Sequence, residues 1–406
     1  MLEIGDTAAN INATGSNAVG QSKAAPWPEQ KKSDPATGWR LSDSYLKYKN
    51  LYSKARLFLY LMLKGKSLKN PYYAHYQITR RCNFRCPSCQ VWQDETYAAG
   101  LSIEDMKIAA RNLRKIGVKS VAITGGEATL RKDIVEAVKA FSDAGLLIRF
   151  HTNAFILTEG LIERLFRAGV ADIYISLDSL DPEIFNTING MTRQGTFERV
   201  LKNIKHVADM SSRFGANLFL TAVLRKDNIA EVDSLHEFAK SVNSLIAFYG
   251  IEVAPEGDPL NIRAQDQSLQ PTQTDSKLIS ETFDSIIKLK NSKNNNIFMS
   301  TKLMLNFRDF FADPDLGMKW SCNAGKLYLE VLPEGTFSVC NATPPIPGYD
   351  FRNITELYDR PDREDVFNKY RTNCGGCICT RQIEDVAGAR KDLFDKVRVY
   401  VSSVFK

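Results

Sequence analysis

The sequence predicts an α/β fold: a partial (β/α)6 TIM-like barrel followed by a small cysteine-rich α+β subdomain. Three observations carry this expectation. Six short β-rich runs alternate with amphipathic helical runs between residues 73 and 253, and strict alternation at this spacing argues for a parallel sheet with right-handed crossovers. Residues suited to chemistry fall just after the strand-like runs, on the rim where such folds bind ligands. The eight cysteines divide into three between residues 82 and 89 and five in the last quarter of the chain.

In chain order, residues 1–41 are rich in Gly, Ser, Asn, Pro and Lys with little apolar periodicity, which predicts a disordered tail. Residues 42–70 form a basic amphipathic helical stretch. From Arg40 to Lys69 there are eight Lys/Arg against one acid, Asp43, a local charge of +7 in a chain of net charge +6. The remainder is therefore about neutral and offers no basic face for nucleic acid. Such a helix is expected to pack one face on the barrel and leave the other solvated. Its interleaved Leu, Phe and Tyr make an anionic membrane surface the alternative partner.

The barrel core is expected over 71–255. Strands are predicted at 73–79, 119–124, 146–151, 172–177, 216–223 and 245–253, and helices at 103–116, 131–144, 158–168, 195–210 and 228–241. A bridging region, 256–320, carries helical patterns near 274–290 and 301–311. The cysteine-rich subdomain spans 321–387, and a basic helix, 388–406, ends the chain. The longest fully apolar run, Leu57–Leu63, is seven residues, against the about 20 a membrane span needs. With 44% hydrophobic and 25% charged residues, the composition is that of an ordinary globular protein. In a chain of this size the cysteines are better read as metal ligands than as a disulfide framework, which predicts a reducing, cytoplasmic setting.

Cys82-x3-Cys86-x2-Cys89 follows the first strand. Each iron of a four-iron cluster wants an outside ligand, so three thiolates leave one iron open for chemistry. A structural zinc would need a fourth ligand; His75 or His151 would have to supply it. On the same rim lie Gly125-Gly126-Glu127 after the second strand, Asn153 after the third, Ser176 and Asp178 after the fourth, and Glu252 at the end of the sixth. Taken singly, the glycines suit a tight turn, Asp178 a helix cap, His151 a satisfied rim histidine and Glu252 a surface carboxylate. Their joint placement favours function.

These motifs, over residues 72–255, resemble the radical S-adenosylmethionine (radical SAM) enzymes. The resemblance implies that Cys82, Cys86 and Cys89 hold a [4Fe-4S] cluster whose open iron is chelated by SAM. Gly125, Gly126 and Glu127 would bind the SAM amino group, Ser176 and Asp178 its ribose, and Asn153 is a further candidate. It also implies reductive cleavage of SAM to a 5'-deoxyadenosyl radical that abstracts a substrate hydrogen, with a reductase such as flavodoxin or ferredoxin as partner. Two positions depart from the family pattern: Ser88 stands where an aromatic residue usually packs on adenine, and Ala128 where proline usually follows the glutamate.

In the second cysteine group, Val331 to Thr336 reads as a hairpin turn that brings Cys322 and Cys340 together. Cys374-Gly375-Gly376-Cys377 adds a flexible pair. Four such ligands can close a second cluster or a zinc ribbon. Beside the barrel motifs this arrangement resembles the twitch form of the SPASM auxiliary domain, which implies a second, auxiliary [4Fe-4S] cluster on Cys322, Cys340, Cys374 and Cys377. Cys379 is left over, as an alternative ligand, a bystander, or a hydrogen-atom donor to a substrate radical. The expected substrate is a small or lipid-like metabolite, such as a sugar, cofactor precursor or isoprenoid. Peptide maturation is the alternative, and a zinc-stabilised binding module the non-enzymatic one.

Overall fold

The computed structural model describes residues 42–64, 68–93, 100–251, 266–292, 295–312 and 322–372. The expectations for the tail 1–41, for Glu252, for Cys374, Cys377 and Cys379, and for the basic end 388–406 lie outside the described residues.

Six parallel strands, β1 (Tyr73–Gln77), β2 (Ser120–Thr124), β3 (Leu147–Thr152), β4 (Val170–Ser176), β5 (Asn217–Leu224) and β6 (Leu245–Gly250), lie side by side in chain order. Helices α2 (Ile103–Ile116), α3 (Ile134–Asp143), α4 (Glu159–Ala168), α5 (Pro182–Asn189), α6 (Thr196–Ser211) and α7 (Val232–Ser241) connect them. The helix starts follow local chemistry. Ser102 caps α2 by accepting from the Asp105 N–H, and Thr158 caps α4 through the Leu161 N–H. The short helix α5 was not foreseen, although Asp181 capping it and Pro182 in its first turn are an N-terminal signature.

Because strand side chains alternate, each strand has a helix-facing and an inner row. Tyr76, Val121, Ile123, Ile148, Phe150 and Ile175 belong to the main apolar core under the helices. The Tyr76 ring lies 5.5 Å from that of Phe141 on α3. Burying each such ring contributes about 2–3 kcal/mol. The inner row is more polar: Tyr73, His75 and Gln77 on β1, Arg149 and His151 on β3, Asp172, Tyr174 and Ser176 on β4. A small inner apolar cluster joins Tyr174, Phe219 and Leu245, one from each of three adjacent strands.

After β6 come α8 (Ser276–Lys290) and α9 (Thr301–Ala312), then β7 (Tyr328–Val331), β8 (Phe337–Ser338), α10 (Ile354–Asp359) and α11 (Arg363–Thr372). The hairpin turn predicted at Gly335 is present, and β7 pairs antiparallel with β8. It does not stand apart as a separate layer. β7 pairs in parallel with β1, giving an open sheet of order β6-β5-β4-β3-β2-β1-β7-β8. Sequence periodicity shows that a strand exists; it carries no information on its neighbours.

The basic helix α1 (Asp43–Lys64) crosses the N-terminal ends of the strands. Leu57 packs on Leu147 and Ala171. Asn50 donates to the Phe214 carbonyl at 2.9 Å, and Lys54 to the Gly215 carbonyl at 2.9 Å. Lys54 is one of the eight basic residues counted above, yet it is buried, with its Nζ 3.0 Å from the fully buried Asp172. Burial pushes its ammonium pKa down, and Asp172 opposes that shift. The opposite face of α1 exposes Tyr45, Tyr48, Tyr52, Leu59 and Leu63. Among the described residues no helix is long and apolar enough to cross a membrane.

Candidate active site

The C-terminal ends of the strands gather the rim residues. The cysteine loop leaves β1 through Thr79, Arg80 and Arg81, and the β2 loop lies directly against it. The Gly126 N–H donates to the Thr79 carbonyl and the Glu127 N–H to the Arg81 carbonyl, both at 2.7 Å. This approach requires glycine. A Cβ on Gly126 would sit 2.3 Å from the Arg81 oxygen, and one on Gly125, whose φ is +140°, would sit 2.2 Å from the Thr79 oxygen. The two glycines do form a tight turn, and that turn braces the stem of the cysteine loop.

Glu127 is 1% exposed. Its Oε1 accepts from the Thr129 N–H at 3.0 Å, the Thr129 hydroxyl at 2.5 Å and the Thr152 hydroxyl at 2.8 Å, and its Oε2 from the Asn153 N–H at 2.7 Å. The Glu127 side chain therefore locks the β2 loop to the β3 loop. Burial raises its pKa, and the hydrogen bonds pull the other way. Asn153 extends the chain of contacts: its Nδ2 donates to Asn83 Oδ1 at 2.8 Å, within the cysteine loop.

Cys82, Cys86 and Cys89 are half-buried thiols on this loop. The Phe84 N–H donates to Cys82 Sγ at 3.4 Å, and the Cys86 thiol lies 3.6 Å from Asn189 Oδ1 at the end of α5. Burial pushes the Cys82 thiol up to about 12 and raises those of Cys86 and Cys89. A bound cation inverts that preference, because it stabilises the thiolate directly. Among the described residues no three His, Cys, Asp or Glu side chains are grouped closely enough to share one metal ion. A cluster taking one thiol per iron asks for no such grouping. The two histidines considered as a fourth zinc ligand are engaged in the barrel interior: His75 Nδ1 lies 2.5 Å from Glu330 Oε1, and the His151 ring stacks on Tyr174 at 4.6 Å.

Ser176 ends β4 as an exposed residue on the rim. Asp178 is buried; its Oδ1 accepts from the Val223 N–H at 2.7 Å, and burial raises its pKa to about 6. It caps no helix, since Asp181 holds that position on α5. Three contributors to the site escaped the sequence reading. Asn83 sits inside the cysteine motif itself. Asn189 lies 103 residues from Cys86, with no local signal. Trp92 donates from Nε1 to the Cys86 carbonyl at 3.1 Å, with the Arg85 guanidinium 5.0 Å from its ring centre. Its aromatic character, three residues past the motif, was the available signal.

Cys322 is half-buried and Cys340 buried, on the two segments that leave the β7–β8 hairpin opposite its turn. β7 runs parallel to β1, so these thiols and the Cys82 loop lie at opposite ends of the strand pair. A strand of five residues spans about 17 Å.

Comparison with known proteins agrees with this geometry. Residues 76–239 match the model of the Radical SAM superfamily. The chain is 32% identical over 171 residues to the probable GTP 3',8-cyclase of Methanocaldococcus jannaschii, covering 42% of this chain and 55% of that protein. It is 34% identical over 189 residues to the GTP 3',8-cyclase of Marinobacter nauticus, covering 46% of this chain and 55% of that one. It thus spans about half the length of these relatives. Among solved structures, SuiB from Streptococcus suis superimposes with a TM-score of 0.57 at 18% identity, over 81% of this chain and 74% of SuiB, a likeness of fold. Motif, sheet and family model agree over residues 76–239, which match the radical SAM superfamily, a family of enzymes whose cofactors are a [4Fe-4S] cluster and SAM.

Proposed function

We propose that this chain is a radical SAM enzyme acting on a small-molecule metabolite, with its catalytic cluster on Cys82, Cys86 and Cys89. One observation carries the reading: three half-buried thiols share one loop, and that loop is braced by Gly125, Gly126 and the Glu127–Asn153–Asn83 chain. The donor set fits the group, since soft thiolates at short spacing suit iron–sulfur chemistry. When bound, the cluster and SAM supply a one-electron cleavage that yields a hydrogen-abstracting carbon radical. The chain's own residues position the reactants. Gly125, Gly126 and Glu127 would bind the SAM amino group from the turn that the glycines pack against the cysteine-loop stem and that Glu127 ties to the β3 loop. Ser176 offers an exposed hydroxyl and Asp178 a carboxylate to the ribose.

Cys322, Cys340, Cys374 and Cys377 are proposed to hold an auxiliary [4Fe-4S] cluster, and Cys379 to donate a hydrogen atom to a substrate radical. If a Cys379→Ala variant keeps its iron and full turnover, that last role is excluded. The electron for SAM cleavage would come from a flavodoxin or ferredoxin in a reducing cytoplasm. The cyclase names of the relatives favour a small molecule over a peptide. The exposed Tyr48, Tyr52, Leu59 and Leu63 on α1 are what support contact with an anionic membrane surface, and hence a lipid-like substrate.

Anaerobic reconstitution tests the central reading. About eight irons per chain are expected, with SAM cleaved under reduction. Cys86→Ala should lose about half the iron and all cleavage. Zinc in place of iron, with no SAM cleavage, would sink the proposal.

A further inference from the structure

The inner face of the sheet carries polar side chains used neither by the cysteine loop nor by the residues assigned to SAM. His75 and Gln77 of β1 share this face with Glu330 of β7, which lies beside His75 in the parallel register. Glu330 is fully buried; its Oε1 lies 2.5 Å from His75 Nδ1 and accepts from Gln77 Nε2 at 3.1 Å. An ionised carboxylate only accepts. It therefore sets the proton on His75 Nδ1 and turns the Gln77 amide nitrogen toward Glu330. The other end of that amide, Gln77 Oε1, is buried without a hydrogen-bond partner, in a residue 4% exposed. A buried acceptor left unpaired is costly, and an incoming donor would satisfy it.

Across the interior stands a ladder of flat rings. His151 stacks on Tyr174 at 4.6 Å, Tyr174 on Phe219 at 4.3 Å, and His75 meets His151 edge-on at 6.1 Å. Among the described residues, Lys54 reaches this face from α1 and Arg149 stands on β3, 3.0 and 3.9 Å from the Asp172 carboxylate at the floor, and past the end of β5 Arg225 is held by Asp227 at 2.6 Å. Gln77 is five residues before Cys82, directly beneath the braced loop.

We propose that the substrate meets Gln77 and His75 and is a compact molecule presenting hydroxyl or amine donors, rather than a nucleoside triphosphate. Gln77 and His75 accept from those donors and set specificity; Glu330 is a positioning residue that fixes both. A triphosphate would meet a buried carboxylate and hydrogen-bond acceptors, with the neighbouring cations drawn to Asp172 and Asp227. The proposal deepens the radical SAM reading and rests on it.

The test uses reconstituted enzyme with SAM and ligand-observed NMR titration of three probes: methyl glucoside for hydroxyls, cyclohexylamine for an amine, and GTP for a triphosphate. A donor probe is expected to bind, and which of the two binds identifies the donor. Gln77→Leu should weaken it at least tenfold at unchanged iron content and melting temperature. Should that variant fold poorly, Glu330→Gln, which no longer fixes the amide, should weaken binding several-fold. Binding of neither donor probe, displacement of both by GTP, or wild-type affinity in the variants overturns the proposal. Wild-type enzyme that fails to cleave SAM under dithionite would remove the radical SAM reading itself. SAM cleavage without donor binding removes only the lumen site.

Discussion

The two ends of the sheet bury carboxylates in opposite ways. At the floor, Asp172 meets the Lys54 ammonium at 3.0 Å and accepts from Asn217 Nδ2 at 3.0 Å. At the rim, Glu127 is surrounded by neutral donors from Thr129, Thr152 and Asn153, and the Asp178 side chain accepts from one backbone N–H. A buried charge in contact with an opposite charge is compensated locally, whereas one hydrogen-bonded only to neutral donors is partly compensated, and burial raises its pKa. The floor therefore closes the fold. The rim holds acceptors in place against a desolvation cost, as expected where a ligand completes the site.

The largest effect is expected from breaking the rim brace. Gly126→Ala places a Cβ 2.3 Å from the Arg81 carbonyl oxygen, so the stem of the cysteine loop must move. Iron content should fall to under about a tenth of wild type and SAM cleavage with it, a strained-backbone effect of several kcal/mol. Unchanged iron would show that the brace is dispensable. The floor should respond in the other currency, stability. Lys54→Met leaves Asp172 with weaker partners, and about 3 kcal/mol of unfolding free energy should be lost, recovered in part by Lys54→Met with Asp172→Asn. Denaturant unfolding measures both. Loss of iron without loss of stability would erase the contrast between the two ends.

A smaller effect is expected from Asp178, whose pKa burial raises from 3.8 to about 6. The fold favours the protonated acid. Its stabilising contribution is complete below pH 3.8 and is lost as pH rises through about 6, at most about 3 kcal/mol for two units. Asp178→Asn keeps an acceptor for the Val223 N–H, so it should flatten the stability profile between pH 4 and 6 while weakening SAM binding at pH 7.5. A profile identical to wild type would show that Asp178 does not titrate in this range. Least is expected from Tyr48→Ser, at a side chain left exposed on α1. Its effect on stability should be within about 0.5 kcal/mol, and co-sedimentation with anionic vesicles should fall if that face meets a membrane.

Much of this was legible along the chain. The six strands and five of the helices between them follow from periodicity, because alternation and 3.6-residue repeats record which face each element buries. The cysteine spacing and the Gly125–Gly126 turn were equally visible. The role of Glu127 was not: its partners Thr152 and Asn153 lie 25 and 26 residues away, and nothing local marks a carboxylate as turned inward. Lys54 read as one more solvated lysine, since only the packing of α1 across the floor brings Asp172 to it. His75 and Glu330 are separated by 255 residues, and no pattern in either strand announces that β7 will lie against β1.

The sequence by itself determined the element order, the rim on which the motifs gather and the ligand type offered by Cys82, Cys86 and Cys89, because periodicity and thiol chemistry are local properties. The tertiary structure alone decided which strands are neighbours, which carboxylates are buried, and that Gln77, His75 and Glu330 share one interior. Those facts depend on strand pairing and desolvation, which arise between residues distant in the chain.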